Sequence, residues 1–341
     1  MMKQTVLLTG VSGFLGSHTA IQLLEKGYRV LGTLRNMDRA ESMREIIAKY
    51  TQHIGALDFA QAELLDERVW IELMKGITYV QHIASPFPKV LPKDEKELLV
   101  PAKKGTLNIL QAAATQGVKR VVVTSSTGAI VYGKPKGQRA GIYSEEDWTD
   151  ETYKEDVTAY FRSKTVAEKA AWDYINSTKG ELELAVVCPG AILGPLLEQD
   201  FSASANIVIK TMDGSSPAIP KIGFDMVDVR SVADLLIRAM ELPEAAGERF
   251  IGSAGYLSFK EVANSLRQAY PDRKIPQSVL PNFAVRLFAR IDPTLKPILN
   301  DLGIERRVDN RKAKEVLGWN PKTPKEAVLA CAESVIKLGI V

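Results

Sequence analysis

Thr5-Val6-Leu7-Leu8-Thr9 runs straight into Gly10-Val11-Ser12-Gly13-Phe14-Leu15-Gly16, followed by Ser17-His18-Thr19-Ala20-Ile21. The opening residues are apolar or β-branched, end at a glycine, and read as a buried strand. Beyond the glycines, apolar residues at Leu15, Ala20, Ile21, Leu23 and Leu24 follow helical spacing, and Gly27 stops the helix. Gly10, Gly13 and Gly16 therefore occupy a turn between a strand and a helix. Glycine allows that turn to be tight and lets phosphate oxygens approach the main chain. The helix N-terminus adds free N–H groups and a positive dipole end, which suit a pyrophosphate. A glycine triplet alone is weak evidence; in this strand–turn–helix setting it predicts a dinucleotide site.

Outward from this turn the pattern repeats. Strand-like runs at residues 29–34, 56–62, 79–84, 120–125 and 182–187 alternate with helical runs at 40–50, 69–75, 95–116 and 156–177. Continuous apolar strands between helices predict an α/β fold, a doubly wound parallel sheet of the Rossmann type, with ligands beyond the C-terminal strand ends. After Pro189 the alternation breaks. Pro, Gly and Ser thicken around 214–220, a helix is expected at 232–240 and one more strand at 249–252. We expect residues 1–190 to form the dinucleotide-binding domain, with 221–254 returning to it. Residues 191–220 and 255–341 are expected to form mainly a smaller, mostly helical substrate lobe.

The end of the second strand selects the cofactor. An acidic residue about 20 positions beyond the glycines would bond a ribose 2′-hydroxyl. Here the strand ends at Leu34-Arg35, with Arg39 a turn further on. A guanidinium suits a 2′-phosphate through paired, charge-assisted hydrogen bonds, so NADPH is predicted; Asp38 is the nearby group that could serve a ribose instead. After the third strand, Glu63 can reach an adenine amino group and Leu64 can cover the ring. Ala84 and Ser85, ending the fourth strand, are small enough to leave room for the middle of the cofactor.

Tyr160 and Lys164 stand four apart in the second long helix and so share a face. A free phenol has a pKa of about 10, and a neighbouring ammonium lowers it. Lys164 is expected to acidify Tyr160, which would protonate a carbonyl oxygen as hydride reaches the carbon. A serine of Thr124-Ser125-Ser126, at the ligand edge of the fifth strand, would hold that oxygen. Alternation along the strand lets only one of Ser125 and Ser126 face the cleft.

Bulk properties exclude other classes. The 341 residues are 45% hydrophobic and 25% charged, with net charge +3, which is ordinary globular composition without a basic block for nucleic acid. Cys188 and Cys331 have no metal-ligand spacing and are too few for a disulfide framework. No signal peptide is read, and no run of about 20 apolar residues predicts a membrane span. The expectation is a cytoplasmic protein with no metal, no nucleic-acid partner and no membrane partner.

Taken together, these motifs resemble the extended short-chain dehydrogenase/reductase superfamily, and within it the dihydroflavonol reductase-like branch that includes aldehyde and ketone reductases. The resemblance rests on Thr9–Gly16, Leu34-Arg35, His82-Ile-Ala84-Ser85-Pro86, Gly105-Thr-Leu-Asn108, Val123-Thr-Ser-Ser126, Tyr160-Phe-Arg-Ser-Lys164, Cys188-Pro189-Gly190 with Gly194-Pro195, and Val227–Ala233. It implies an NADPH-dependent reductase of aldehyde or ketone carbonyls, with Ser126, Tyr160 and Lys164 in the catalytic roles. It also places Phe14 and Leu15 over the pyrophosphate, Arg35 at the 2′-phosphate, Ala84 and Ser85 along the cofactor, and Pro189 and Ile192 at the nicotinamide. Asn108 takes a helix position that in many relatives supports the active site through water. Two departures stand out. Glu63 replaces the aspartate of many relatives. Cys188-Pro-Gly-Ala-Ile-Leu-Gly-Pro lacks the tyrosine- and cysteine-rich signature of plant cinnamoyl-CoA reductases, which argues against a thioester substrate.

Phe87, Thr127, Ile130, Phe161, Phe201, Ile207, Met212 and Met226 are candidate pocket walls and suggest an apolar or aromatic small-molecule carbonyl substrate. The competing readings are an NAD-dependent nucleotide-sugar epimerase or dehydratase, a non-catalytic NADPH-binding redox sensor, and a steroid dehydrogenase running the same chemistry oxidatively. Lys103, Lys104, Glu168 and Lys169 are read as solvated outer faces of the long helices, and the chain as a monomer or homodimer.

Overall fold

A computed structural model of the chain describes residues 4–86, 94–199, 203–214, 218–290 and 298–341. In chain order the first half runs β1 (Thr5–Thr9), α1 (Phe14–Glu25), β2 (Arg29–Leu34), α2 (Ala40–Ala48), β3 (Leu57–Gln61), α3 (Glu67–Leu73), β4 (Tyr79–His82), α4 (Lys96–Thr115), β5 (Arg120–Thr124), β6 (Gly141–Tyr143) and α5 (Ala159–Ser177). The second half runs β7 (Glu183–Pro189), β8 (Ala191–Leu193), α6 (Asn206–Met212), β9 (Ile219–Pro220), β10 (Gly223–Asp228), α7 (Val229–Glu241), β11 (Arg249–Gly252), β12 (Gly255–Ser258), α8 (Phe259–Ala269), β13 (Val279–Leu280), α9 (Asn282–Phe288), β14 (Arg306–Val308), α10 (Arg311–Leu317) and α11 (Pro324–Lys337).

Seven strands form a parallel sheet in the order β11-β7-β5-β4-β1-β2-β3. One face carries α1 and α7, whose Leu23, Leu24, Leu235 and Leu236 are buried with β-strand side chains such as Leu8 and Val122. The other face carries α3, α4 and α5, through Trp70, Ile109, Leu110 and Ala171. This is the doubly wound arrangement the strand–helix alternation predicts. The order reverses between β1 and β4, where a ligand crevice opens beyond the C-terminal ends. A side chain keys that junction. Thr9 Oγ1 bonds His82 Nδ1 at 3.0 Å and accepts the N–H groups of Ile83 and Ala84.

The second cluster of elements is built around a three-stranded sheet, β12-β10-β8, packed by α6, α8 and α11 through Leu193, Val208, Met226, Leu266 and Val328. β10 lies within the stretch expected to return to the main sheet, yet it pairs with β8 and β12; the chain rejoins the main core at α7 and β11. The tail also reaches that core, since Ala313, Leu317 and Trp319 pack with Leu236 and Phe250. Arg306 on β14 ties this region to the segment that leads into α5. It donates to Asp156 and Asp301 and lies 4.5 Å over the ring of Tyr132.

One surface assignment changes. Glu168 is 1% exposed, not solvated, because α5 turns this residue toward β7, β11 and the end of β5. Of the candidate pocket walls, Ile130 is buried with α3, α4 and α5, and Met212 and Met226 are buried with the three-stranded sheet. Phe87 and Phe201 lie outside the described residues. Among the described residues, no helix is long and apolar enough to cross a membrane, and no cluster of His, Cys, Asp and Glu could hold a metal.

Candidate active site

The turn after β1 is shaped for phosphate. Gly10 has φ +73°, a left-handed conformation suited to glycine, and a Cβ there would come within 3.1–3.2 Å of Ala84. A Cβ on Gly16 would sit 2.1 Å from the carbonyl oxygen of Gly10, so the helix can start this close to the strand only with glycine. α1 is capped by Gly13 with no side-chain acceptor and has no acidic residue in its first turn. The first main-chain bond into the helix is Ser17 N–H to the Gly13 carbonyl. The amides of Phe14, Leu15 and Gly16 are thus left for an anion. These residues fit a dinucleotide pyrophosphate. Leu15 is buried and Phe14 half-buried, bridging two cores.

At the end of β2, Arg35 is exposed and its carbonyl accepts Gln61 Nε2 at 3.1 Å. Arg39 follows, with Nη2 at 2.7 and 2.8 Å from the two carboxylate oxygens of Glu198. Glu63 is exposed in the turn after β3. Leu64 is half-buried against Gly105, and its carbonyl accepts both Trp70 Nε1 and Asn108 Nδ2. Asn108 therefore fastens the loop after β3 through one N–H of its amide, at 3.0 Å from the Leu64 carbonyl. Pro189, buried, ends β7, and Ile192, half-buried, pairs with Val227 in the neighbouring small sheet.

The two serines after β5 separate as strand alternation requires. Ser125 is buried and donates to Glu168 Oε2 at 2.5 Å. Ser126 is half-buried and caps the single 3-10 turn Thr127–Ala129, accepting Gly128 N–H at 3.0 Å. Thr158 caps α5 through Phe161 N–H and so fixes where Tyr160 leaves the helix. Phe161 stacks on Tyr132 at 4.2 Å and tilts against Tyr160 at 5.6 Å, with the bare Cα of Gly128 beneath it. Thr127 and Ile207 are half-buried.

Electrostatics depart from the sequence reading. Burial pushes the Tyr160 phenol up to about 12, so it is not acidified in this arrangement. Lys164 Nζ donates to the carbonyl of Thr124 at 3.1 Å. Burial pulls Lys164 down to about 8, while Cys188 and Glu168 act to raise it. Tyr160 is therefore a fully protonated donor at neutral pH, and Lys164 is the group that titrates near it. Lys164 shares a small cavity with Leu64, His82, Ala84, Ser85 and Glu168. His82 is neutral there, lowered to about 3 by burial and by Lys164.

Glu168, Arg249 and Thr9 are functional-site neighbours the sequence reading missed. Arg249 Nε donates to Glu168 Oε1 at 2.6 Å, Nη1 donates to the carbonyls of Glu145 and Asp147, and the guanidinium lies 3.6 Å over Trp148. The available signal was spacing: Tyr160, Lys164 and Glu168 recur every fourth residue on one helix face.

The model of the NAD dependent epimerase/dehydratase family matches residues 6–251. The chain belongs to that family. Members similar to it include cinnamoyl-CoA reductase 1 of Petunia hybrida, 34% identical over 311 residues, 89% of this chain and 87% of that one. The NADPH-dependent methylglyoxal reductase GRE2 of Saccharomyces cerevisiae is 29% identical over 353 residues, 98% of each. The crystal structure of yeast methylglyoxal/isovaleraldehyde reductase Gre2 complexed with NADPH matches with a TM-score of 0.83 at 27% identity, covering 98% of this chain and 99% of that one. The family and these structural matches are those of the extended short-chain dehydrogenase/reductases inferred from the motifs.

Proposed function

We propose that this family member is an NADPH-dependent reductase of aldehyde or ketone carbonyls, of the dihydroflavonol reductase-like kind, working as a soluble cytoplasmic enzyme. The observation that carries the reading is convergence. Ser126 stands just beyond β5, and Lys164 shares a cavity with Ala84 and Ser85 just beyond β4. The phosphate turn Gly10–Gly16 ends β1 at the same sheet edge. Relatives of nearly equal length bear the names of NADPH-dependent reductases.

The cofactor would lie with its pyrophosphate on the amides of Phe14, Leu15 and Gly16, against the bare Cα atoms of Gly10 and Gly13, and its 2′-phosphate at Arg35. Glu63 and Leu64 would flank the adenine, with Ala84 and Ser85 along the middle. Pro189 and Ile192 would sit at the nicotinamide end, with Tyr160 and Lys164 beside its ribose. When bound, NADPH supplies the hydride. Ser126 donates a hydrogen bond to the substrate oxygen and holds it in place. Tyr160, protonated at neutral pH, gives its proton to that oxygen as charge develops. Charged Lys164 stabilises the tyrosinate left behind, which offsets the cost of ionising a phenol held near 12. Phe161, stacked on Tyr132 and tilted against Tyr160, makes the wall beside Tyr160 apolar and aromatic, which favours an apolar or aromatic carbonyl substrate.

The test is a panel of aldehydes and ketones, aliphatic and aromatic, with NADPH and NADH in parallel, for wild type and Tyr160→Phe. We expect NADPH oxidation by wild type, and a Tyr160→Phe protein that binds NADPH normally but turns over at least about 100-fold more slowly. Wild type inert across the panel, or Tyr160→Phe fully active, would refute the assignment.

A further inference from the structure

Residues 195–199 form a strap between α1, α2 and the C-terminal helix. His18 Nε2 donates to the carbonyl of Pro195 at 2.9 Å, one turn inside the helix whose first amides face the phosphate turn. Leu196 N–H donates to Ser334 Oγ at 2.9 Å, and Gln199 Nε2 donates to the carbonyl of Leu338 at 3.0 Å, both at α11. Between these anchors Glu198 reaches Arg39. The strap thus touches the protein one turn into α1, beside the pyrophosphate turn, and again at Arg39, in the segment after β2 that also holds Arg35.

We propose that Glu198 is a built-in competitor for the cofactor's 2′-phosphate: it holds Arg39 until the phosphate arrives, then yields Arg39 and loosens the strap. The proposal rests on the reading of the β2 end as the 2′-phosphate site. Three points carry it. First, Arg39 ends the single 3-10 turn Met37–Arg39, four residues beyond Arg35, so both arginines belong to the short segment that follows β2. Second, a carboxylate and a phosphate cannot share one guanidinium without repulsion, and the phosphate, with more charge and three acceptor oxygens, is the stronger partner. Third, the existing pair is displaceable. The Arg39 side chain is 42% exposed and that of Glu198 20%, so the bond is a solvent-screened one of low cost. Because the strap is also tied to α11, its release carries cofactor occupancy from the nucleotide site to the second cluster of elements.

The experiment measures equilibrium binding of NADPH and NADH by fluorescence to the full-length wild type, Glu198→Gln and Asp38→Asn. Asp38 is the control, an exposed carboxylate of the same stretch that bonds Asn36 and not Arg39. Glu198→Gln should tighten NADPH about fivefold and leave NADH within about twofold. Asp38→Asn should shift neither. Hydrogen exchange at the Leu196 amide should speed up when NADPH is added to wild type. Weaker NADPH binding by Glu198→Gln, or slower exchange at Leu196 with NADPH, would mean that the pair closes over the cofactor, and overturns the proposal. Unchanged binding, or equal tightening by Asp38→Asn, overturns it too. A wild type that fails to prefer NADPH would instead bring down the 2′-phosphate reading itself, and the proposal with it.

Discussion

Replacing Glu168 by Gln removes one negative charge from the buried face of α5 while keeping the shape. Two consequences can be worked from the structure. The first is stability. Glu168 and Arg249 are both buried, and breaking such a pair by neutralising one partner costs about 3–5 kcal/mol. Arg249 keeps two main-chain carbonyls and the face of Trp148, and a glutamine oxygen can still accept from Nε. A loss of about 2–3 kcal/mol is therefore expected, seen as a melting temperature lower by roughly 3–4 °C in a chain of this size. The second is the charge of Lys164. One helical turn separates it from Glu168, about 6 Å, and at an effective dielectric of about 20 their attraction is at most about 3 kcal/mol. Screening by the other groups of the cavity reduces this to roughly 1–1.5 kcal/mol, equivalent to about one pH unit. The sign follows from what Glu168 does. It supports the charged form of Lys164, which burial already holds down near 8. Without it the ammonium is lost at lower pH, and with it the group that stabilises the tyrosinate of Tyr160. Reduction in wild type should decline as pH rises through about 8; in Glu168→Gln this alkaline limb should move about one unit toward acid. The assay is kcat against pH with saturating NADPH, beside a thermal melt. A limb that stays in place while the melting temperature falls would show that Glu168 serves only the fold and would refute the electrostatic argument.

Further predictions concern the residues around it. Ser126→Ala should lower kcat about 10- to 100-fold with little change in stability, whereas Ser125→Ala, which strips a buried donor from Glu168, should lower the melting temperature and spare kcat; steady-state kinetics and melts on both proteins decide it. Arg35→Ala should raise the KM for NADPH at least about tenfold and that for NADH less than twofold, and equal effects on the two would reject Arg35 as the 2′-phosphate ligand. Gly16→Ala would drive a methyl group to 2.1 Å from the Gly10 carbonyl, in main chain that cannot step aside. NADPH affinity should collapse by fluorescence titration, with about 1–3 kcal/mol lost in a denaturation curve.

The sequence by itself determined the frame of this protein, because local rules write it. β1, β2 and β11 begin and end where apolar runs meet glycine or polar residues, and α1, α4 and α5 follow their helical spacing to within a few positions. The glycine turn is legible for the same reason. Its requirement is conformational, and only glycine satisfies a positive φ at residue 10 and the absence of a Cβ at residue 16. Tyr160 and Lys164 share a face by spacing alone.

What only the tertiary structure decided is which side chains lose water and what they meet when they do. Glu168 looks like any exposed helix carboxylate until β7 and β11 come to lie under α5 and bring Arg249 to it. Which core Ile130, Met212 and Met226 join is likewise settled only when the elements pack. The charge of Lys164 and the acidity of Tyr160 depend on desolvation, which is a property of the assembled environment and not of neighbours in sequence. The pairing of Arg39 with Glu198 joins residues 159 positions apart. No local pattern encodes such a contact; it exists because the strap after β8 is held beside α1 and α11 by the folded chain.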